Sequence, residues 1–153
     1  MSAPSNILIA NGRLIDPANG IDDTRNLYIV AGRVQGVGHS PGGFRPDRTI
    51  DAAGLIVCPG LIDLSVRPGE PGREQNATLK SETRAAAKGG ITTFCCPPDT
   101  DPVIDTPAMA ILVRKRSERI GYARLLPVGA LTRGLKGKRL SEMTALKQAG
   151  CVA

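Results

Sequence analysis

Residues Cys58–Gly72 read CPGLIDLSVRPGEPG, and the chain changes character across them. A turn, Cys58-Pro59-Gly60, leads into the apolar run Leu61-Ile62-Asp63-Leu64. Ser65, Val66 and Arg67 follow, and the segment breaks at Pro68-Gly69 and Pro71-Gly72. In an extended strand alternate residues share a face, so Asp63, Ser65 and Arg67 are expected to point one way. Such a polar comb at the end of an apolar strand suggests a strand that finishes at a functional mouth. The competing reading is that Ser65 and Arg67 mark where the strand leaves the core for solvent.

Upstream of this stretch the segments are short and regularly spaced. Ile7–Ile15 alternates around Asn11-Gly12, a hairpin-type turn, and Asp16–Gly20 forms a second turn cluster. Asn26–Val30, Ala31-Gly32-Arg33 and Val34–Val37 repeat the strand–turn–strand pattern. A polar stretch, His39–Asp47, precedes Arg48–Val57, which turns at Ala53-Gly54. This pattern predicts a small antiparallel β module over residues 1–57.

Downstream the rhythm becomes strand–helix alternation, the mark of a parallel sheet with crossover helices over residues 58–153. Leu61–Val66 is the first strand. Thr78 caps a helix through Lys88, which Gly89-Gly90 ends. Ile91–Cys96 is an uncharged second strand. Thr106-Pro107 opens a helix carrying Ala108, Ile111, Leu112 and Lys115 at helical spacing, stopped by Gly121. Leu125–Leu131 is a third strand. Ser141 is expected to cap a helix with Met143, Leu146 and Ala149 on one face, and Cys151-Val152-Ala153 to begin a fourth strand. A closed (β/α)8 barrel needs eight strands and about 200–250 residues or more. Four strands amount to about half of one, so the expectation is the N-terminal part of a longer polypeptide or a chain that needs a complement.

The chain has 153 residues and a formal charge of +6. The charge is spread as isolated Lys and Arg, with short clusters at Arg114–Arg116 and Lys136–Arg139. No aromatic residues interleave with them, which argues against nucleic-acid binding. The apolar runs are too short to span a bilayer and Met1–Asn6 lacks a signal-peptide core, so no membrane association and a cytoplasmic location are expected. Cys58, Cys95, Cys96 and Cys151 show no Cys-x-x-Cys spacing and read as small buried apolar residues. His39 is the only histidine, so a histidine-rich metal centre cannot be built from this chain alone. Glu70 lies between two turn prolines with no titratable partner in sequence, and is assigned no catalytic role. The loop Thr132–Leu140, TRGLKGKRL, follows the third strand, where barrel ligand loops gather. Its four basic residues suit a phosphate or an acidic partner surface; the alternative is a solvated loop.

The segment PGLIDLSVRPGEPG resembles the signature of the cyclic amidohydrolases, most closely the dihydroorotases. That family reads Asp-x-His-x-His followed by Leu-Arg-Glu-Pro-Gly. The matching positions here are Asp63, Ser65, Arg67, Pro68, Gly69, Glu70, Pro71 and Gly72. Ser65 and Arg67 therefore stand where the family has its metal-binding histidines, and Gly69 where it has the arginine that binds the substrate carboxylate. The family's second signature, Gly-Gly-x-Thr-Thr and Pro-Asn-Thr-x-Pro, is matched by Gly89-Gly90-Ile91-Thr92-Thr93 and Pro98-Asp99-Thr100-Asp101-Pro102. Asp99 replaces an asparagine that helps hold the substrate, and puts a negative charge where an anion should dock. Its other reading is a solvated turn residue.

The resemblance runs from Ile7 to Ala153. It implies an incomplete N-terminal β-sandwich module over 1–57 and the first half of a TIM barrel over 58–153. In active members a metal-bound hydroxide attacks an amide carbonyl. Arg67 is permanently protonated and has no lone pair for a metal, and Ser65 is a poor zinc ligand, so no zinc is expected. Among dihydroorotase-like proteins the resemblance is to the degenerate class that joins the aspartate carbamoyltransferase catalytic chain in an oligomeric assembly. Three readings stay open: that non-catalytic subunit of pyrimidine biosynthesis; an active amidohydrolase with ligands from outside this chain; and an anion-binding module using Arg67 and Arg133.

Overall fold

The structure, a computed structural model, describes residues 5–152. It divides into two compact units, one running to Pro59 and one starting at Gly60.

The first unit contains β1 (Asn6–Ala10), β2 (Arg13–Asp16), β3 (Ile21–Thr24), β4 (Leu27–Val30), β5 (Arg33–Val37), β6 (Arg48–Asp51) and β7 (Ile56–Val57). They form two sheets, β5-β4-β1-β6 and β3-β2-β7. Two of the expected turns close hairpins. Ala31-Gly32 joins β4 to β5 with both residues at positive φ, and Pro17–Asn19 with left-handed Gly20 joins β2 to β3.

Asn11-Gly12 does not close a hairpin, because β1 and β2 belong to different sheets. Asn11 is left-handed, as the Asn-Gly pair suggests, at φ 64°. Its amide donates to Asn26 Oδ1 and its Nδ2 donates to Asp51 Oδ1, so distant partners use the turn to redirect the strand. The module is also not wholly antiparallel: β1 runs parallel to β6 and β2 parallel to β7. The chain thus passes from one sheet to the other three times, at Asn11-Gly12, Arg25-Asn26 and Ala52–Leu55, and the first and last of these passages run side by side. Ala52 N donates to Ala10 O and Arg13 N to Leu55 O across this double crossing. A Cβ on Gly12 would lie 2.5 Å from Val57 Cγ2 and 3.0 Å from Ala52 Cβ, so only glycine permits so close an approach.

The second unit contains β8 (Leu61–Asp63), α1 (Leu79–Lys88), β9 (Ile91–Cys96), α2 (Pro107–Ile120), β10 (Arg124–Pro127) and α3 (Met143–Gln148). The sheet order is β8-β9-β10, all parallel, with α1 and α2 as the crossovers. The helices begin and end where local chemistry dictates. Thr78 Oγ1 accepts from Ser81 N while Ser81 Oγ accepts from Thr78 N, a reciprocal cap on α1. Pro107 starts α2, and Gly121, left-handed at φ 74°, ends it. Phe94, Cys96 and Leu125 from the strands pack on Leu79 and Ala86 of α1 and Ala110 and Val113 of α2.

Several expected features are shifted. The first strand ends at Asp63, not Val66, because Asp63 Oδ1 accepts from Ser65 N and draws the chain out of the ladder. Val66 N rejoins β9 through Cys95 O. The third strand stops at Pro127, short of Leu131. Of the expected stripe, Ala108, Leu112 and Lys115 are exposed and Ile111 packs half-buried against the core; the fully buried face of α2 is Ala110, Val113 and Ser117. These smaller side chains let the helix approach the sheet closely. Glu142, not Ser141, holds the N-cap position of α3, and Ser141 is buried with its carbonyl accepting from Met143 N. Met143 is exposed, whereas Leu146 and Ala149 are buried. Val152 N donates to Pro127 O beside β10, but no strand forms at Cys151-Val152, and Ala153 lies outside the described residues. Cys58 is exposed, unlike Cys95, Cys96 and Cys151. Among the described residues no helix is long and apolar enough to cross a membrane.

Candidate functional site

Parallel neighbours end at the same edge of a sheet, so the segments leaving β8 and β9 meet there. Arg67 follows β8 and Asp99 follows β9. Arg67 Nε donates to Asp99 Oδ2 at 2.8 Å, joining residues 32 apart in sequence. The Asp99 hydrogen bond, and then its charge, raise the pKa of the Arg67 guanidinium above its ordinary value. Asp99 is therefore neither an uncompensated charge nor a merely solvated turn residue. Two positions read separately from the sequence neutralise each other.

The pair borders a small cleft lined by Arg67, Pro68, Gly69, Pro71, Arg73, Cys96, Pro97, Asp99 and Thr100. Its cavity is about 20 Å³, room for about one water molecule. Three sequence-predicted positions, Arg67, Gly69 and Asp99, thus meet around one cavity. Ser65 does not line it: it is exposed beyond the end of β8, its amide held by Asp63. Arg133 does not line it either. Its Nη2 donates to Glu142 Oε1 at 2.8 Å, within the separate basic loop. Arg67 and Arg133 are not gathered at one cavity to clamp an anion, and each already has a carboxylate partner.

Gly69 is more than a missing side chain. Its φ is 73°, and a Cβ would meet Ala77 O at 2.6 Å and Arg73 O at 3.0 Å. The local backbone path excludes the family arginine, not only its guanidinium. Glu70 gains partners that its sequence neighbourhood does not reveal. Its Oε2 accepts from Leu79 N at the start of α1, and its Oε1 accepts from Arg116 of α2 at 2.9 Å. With 18% of its side chain exposed, Glu70 ties both helices to the turn after β8. That is a structural role.

Cys96 also lines the cleft, and its place at the end of an uncharged strand before Pro97-Pro98 is the only sequence cue to it. Burial, then the charge of Asp99, push its thiol up to about 12. It therefore stays protonated at neutral pH and is a poor nucleophile. The residues in the family's metal and substrate positions do not fit zinc. One is an exposed serine, and the other is a guanidinium that repels a cation and already occupies the nearby carboxylate.

Comparisons with known proteins agree with this frame. The family described as dihydro-orotase-like matches residues 54–153. The chain is 50% identical over 147 residues to a "dihydroorotase-like protein" of Pseudomonas aeruginosa, covering 96% of this chain and 35% of that protein. It is 46% identical over 151 residues to a "dihydroorotase" of Pelobacter propionicus, covering 97% and 35% respectively. Its fold is shared with the L-hydantoinase (dihydropyrimidinase) of Arthrobacter aurescens, with TM-score 0.78 and 24% identity over 95% of this chain and 31% of that one. The D-hydantoinase of a Thermus species is similar over 82% of this chain and 28% of its own, with TM-score 0.63 and 24% identity. The chain spans about a third of the length of the curated relatives it matches.

Proposed function

Because this chain belongs to the dihydro-orotase-like family, we propose that the protein carrying it is a non-catalytic member that supports an aspartate carbamoyltransferase catalytic chain. In this reading the first unit is part of a β-sandwich module, and the second is the first half of a (β/α)8 barrel without its metal site. The observation that carries the reading is the 2.8 Å ion pair between Arg67 and Asp99. It occupies one metal position and one substrate position with charges that satisfy each other. The pair offers a divalent cation no vacant carboxylate at Asp99, and of the two arginines that line the cleft it leaves only Arg73 outside an ion pair among the described residues.

The frame around it is kept intact. The reciprocal cap at Thr78, the glycine stop at Gly121 and the Glu70 ties preserve the fold and its outer surface. Assembly asks for that surface, whereas hydrolysis asks for the pocket.

Two measurements on the full-length protein test the proposal. Metal analysis after dialysis against zinc should find no stoichiometric zinc; one zinc per chain, lost on Ser65 or Arg67 substitution, would overturn the non-catalytic reading. Co-expression with an aspartate carbamoyltransferase catalytic chain, followed by size-exclusion chromatography with light scattering, should give one complex. Separate elution at micromolar concentration, with the transcarbamoylase fully active alone, would overturn the assembly role.

A further inference from the structure

Of the three segments that leave β8, β9 and β10, the middle one is bonded to both neighbours. It comprises residues 99–105. On the β8 side, Arg67 Nε donates to Asp99 Oδ2 at 2.8 Å and Asp101 N donates to Pro71 O at 3.1 Å. Gly72, at φ 99°, lies so close to Asp101 that a Cβ on it would overlap the Asp101 carbonyl. On the β10 side, Ala130 N donates to Ile104 O and Gly134 N donates to Asp105 Oδ2, each at 2.8 Å.

The middle segment is stiff. Pro97, Pro98 and Pro102 each fix a φ angle in or beside it. Ile104 N donates back to Pro98 O and closes the segment on itself, while Thr100 Oγ1 donates to Pro102 O at 2.7 Å. Ile104 is fully buried in the same core cluster as Phe94 and Ala110. Few dihedrals are left to absorb a displacement, so a shift at Asp99 or Asp101 passes on to Ile104 and Asp105.

Asp105 makes its tie through its side chain. Gly134 sits at φ 60°, a turn that glycine adopts freely, and the Asp105 carboxylate accepts from its amide. The carboxylate is carried by a backbone that the buried Ile104 anchors, and it therefore sets where the turn lies.

We propose that residues 99–105 form a clasp that makes the three segments move as one body, with Asp105 the positioning residue on the β10 side. The carboxyl ends of parallel strands are where α/β proteins place their ligands. With the clasp closed, an event at the Arg67–Asp99 pair is felt at Gly134, and none of the three segments opens or closes alone. The coupling is independent of what the site binds, because bonds within the chain create it.

Amide hydrogen exchange of the full-length protein, read by mass spectrometry, tests the clasp in peptides covering residues 66–76, 98–105 and 129–137, with α1 and β9 as references. Asp105→Ala should speed exchange over 129–137 about tenfold. Asp105→Asn should restore most of the protection, because an amide oxygen still accepts from Gly134 N. Asp99→Ala cuts a tie on the opposite side, and should speed exchange about threefold or more over 129–137 as well as over 98–105. Gly72→Ala, which drives Asp101 off its contact, should do the same; if that variant fails to fold, Asp99→Ala decides. Faster exchange over 98–105 with 129–137 unchanged would overturn the clasp. So would an Asp105→Ala effect that Asp105→Asn does not reverse, or one shared equally by α1 and β9, which is a loss of overall stability.

Discussion

Putting a side chain back at Gly69 tests whether the family's substrate arginine was lost from the side chain or from the backbone. Gly69 sits at φ 73°, a conformation that costs other residues about 1–2 kcal/mol. A Cβ there would lie 2.6 Å from Ala77 O and 3.0 Å from Arg73 O, closer than van der Waals contact allows. Neither oxygen is free to retreat: Arg73 O accepts from Asn76 N and Ala77 N, and Ala77 precedes the cap of α1. Forcing such contacts costs a further ~1–3 kcal/mol, as overpacking does elsewhere. Gly69→Ala should therefore destabilise by about 2–5 kcal/mol in urea unfolding followed by circular dichroism. Gly69→Arg should do no better. Gly121→Ala is the control, at nearly the same φ of 74° but with its nearest atom, Glu118 O, at 3.8 Å. It meets only the dihedral cost. If Gly69→Ala loses no more stability than Gly121→Ala, the steric argument is wrong and restoring the arginine is a side-chain problem after all.

Glu70→Ala should cost about 1–3 kcal/mol in the same unfolding assay, because it leaves Leu79 N and Arg116 without their acceptor. Glu70→Gln should lose less, since an amide oxygen can still accept from Leu79 N. Thr78→Ala should cost about 1 kcal/mol and Thr78→Ser almost nothing, read from thermal unfolding, because the hydroxyl is what closes the cap. Cys96 should resist iodoacetamide at pH 8, followed by mass spectrometry, because a thiol pushed up to about 12 holds almost no thiolate there. The same shift lets the unfolded chain release this proton first, so Cys96 should lower folding stability as pH rises from about 9 towards 12. Labelling of Cys96 in the native protein as fast as free glutathione would contradict its burial.

What the sequence made legible was chemistry confined to a few neighbouring residues. Thr78, Thr106-Pro107, Gly89 and Gly121 each mark a helix end through a preference that needs no distant partner. Failures came where a distant residue took over. Asn11-Gly12 reads as a hairpin locally, but Asn26 and Asp51 use it to move the chain to a second sheet. The helical stripe of Ala108, Ile111, Leu112 and Lys115 is plain in the sequence, yet only Ile111 of it packs against the core, and the sheet buries the smaller Ala110 and Val113.

The candidate site shows the same division. Motif position alone points to Arg67, Gly69 and Asp99, and all three border one cleft. That Arg67 and Asp99 would pair was not apparent, although opposite charges following adjacent parallel strands were a usable signal. The bonds from Glu70 to Leu79 and Arg116 reach across 9 and 46 residues, and no local pattern announces them.

The double crossing between the sheets of the first unit has a consequence for how that unit comes apart. Both passages are short and lie against each other, pinned by Ala52 N on Ala10 O and Arg13 N on Leu55 O, with Gly12 pressed on Val57. Peeling β2 and β7 away drags directly on β1 and β6, since β1–β2 and β6–β7 are each a continuous run of chain bent over the same corner. The two sheets therefore behave like two pages on one spine. Their central amides should exchange with solvent together, through a single opening event, and not sheet by sheet. Any residue larger than glycine at position 12 should loosen that spine, and both sheets should lose protection at once.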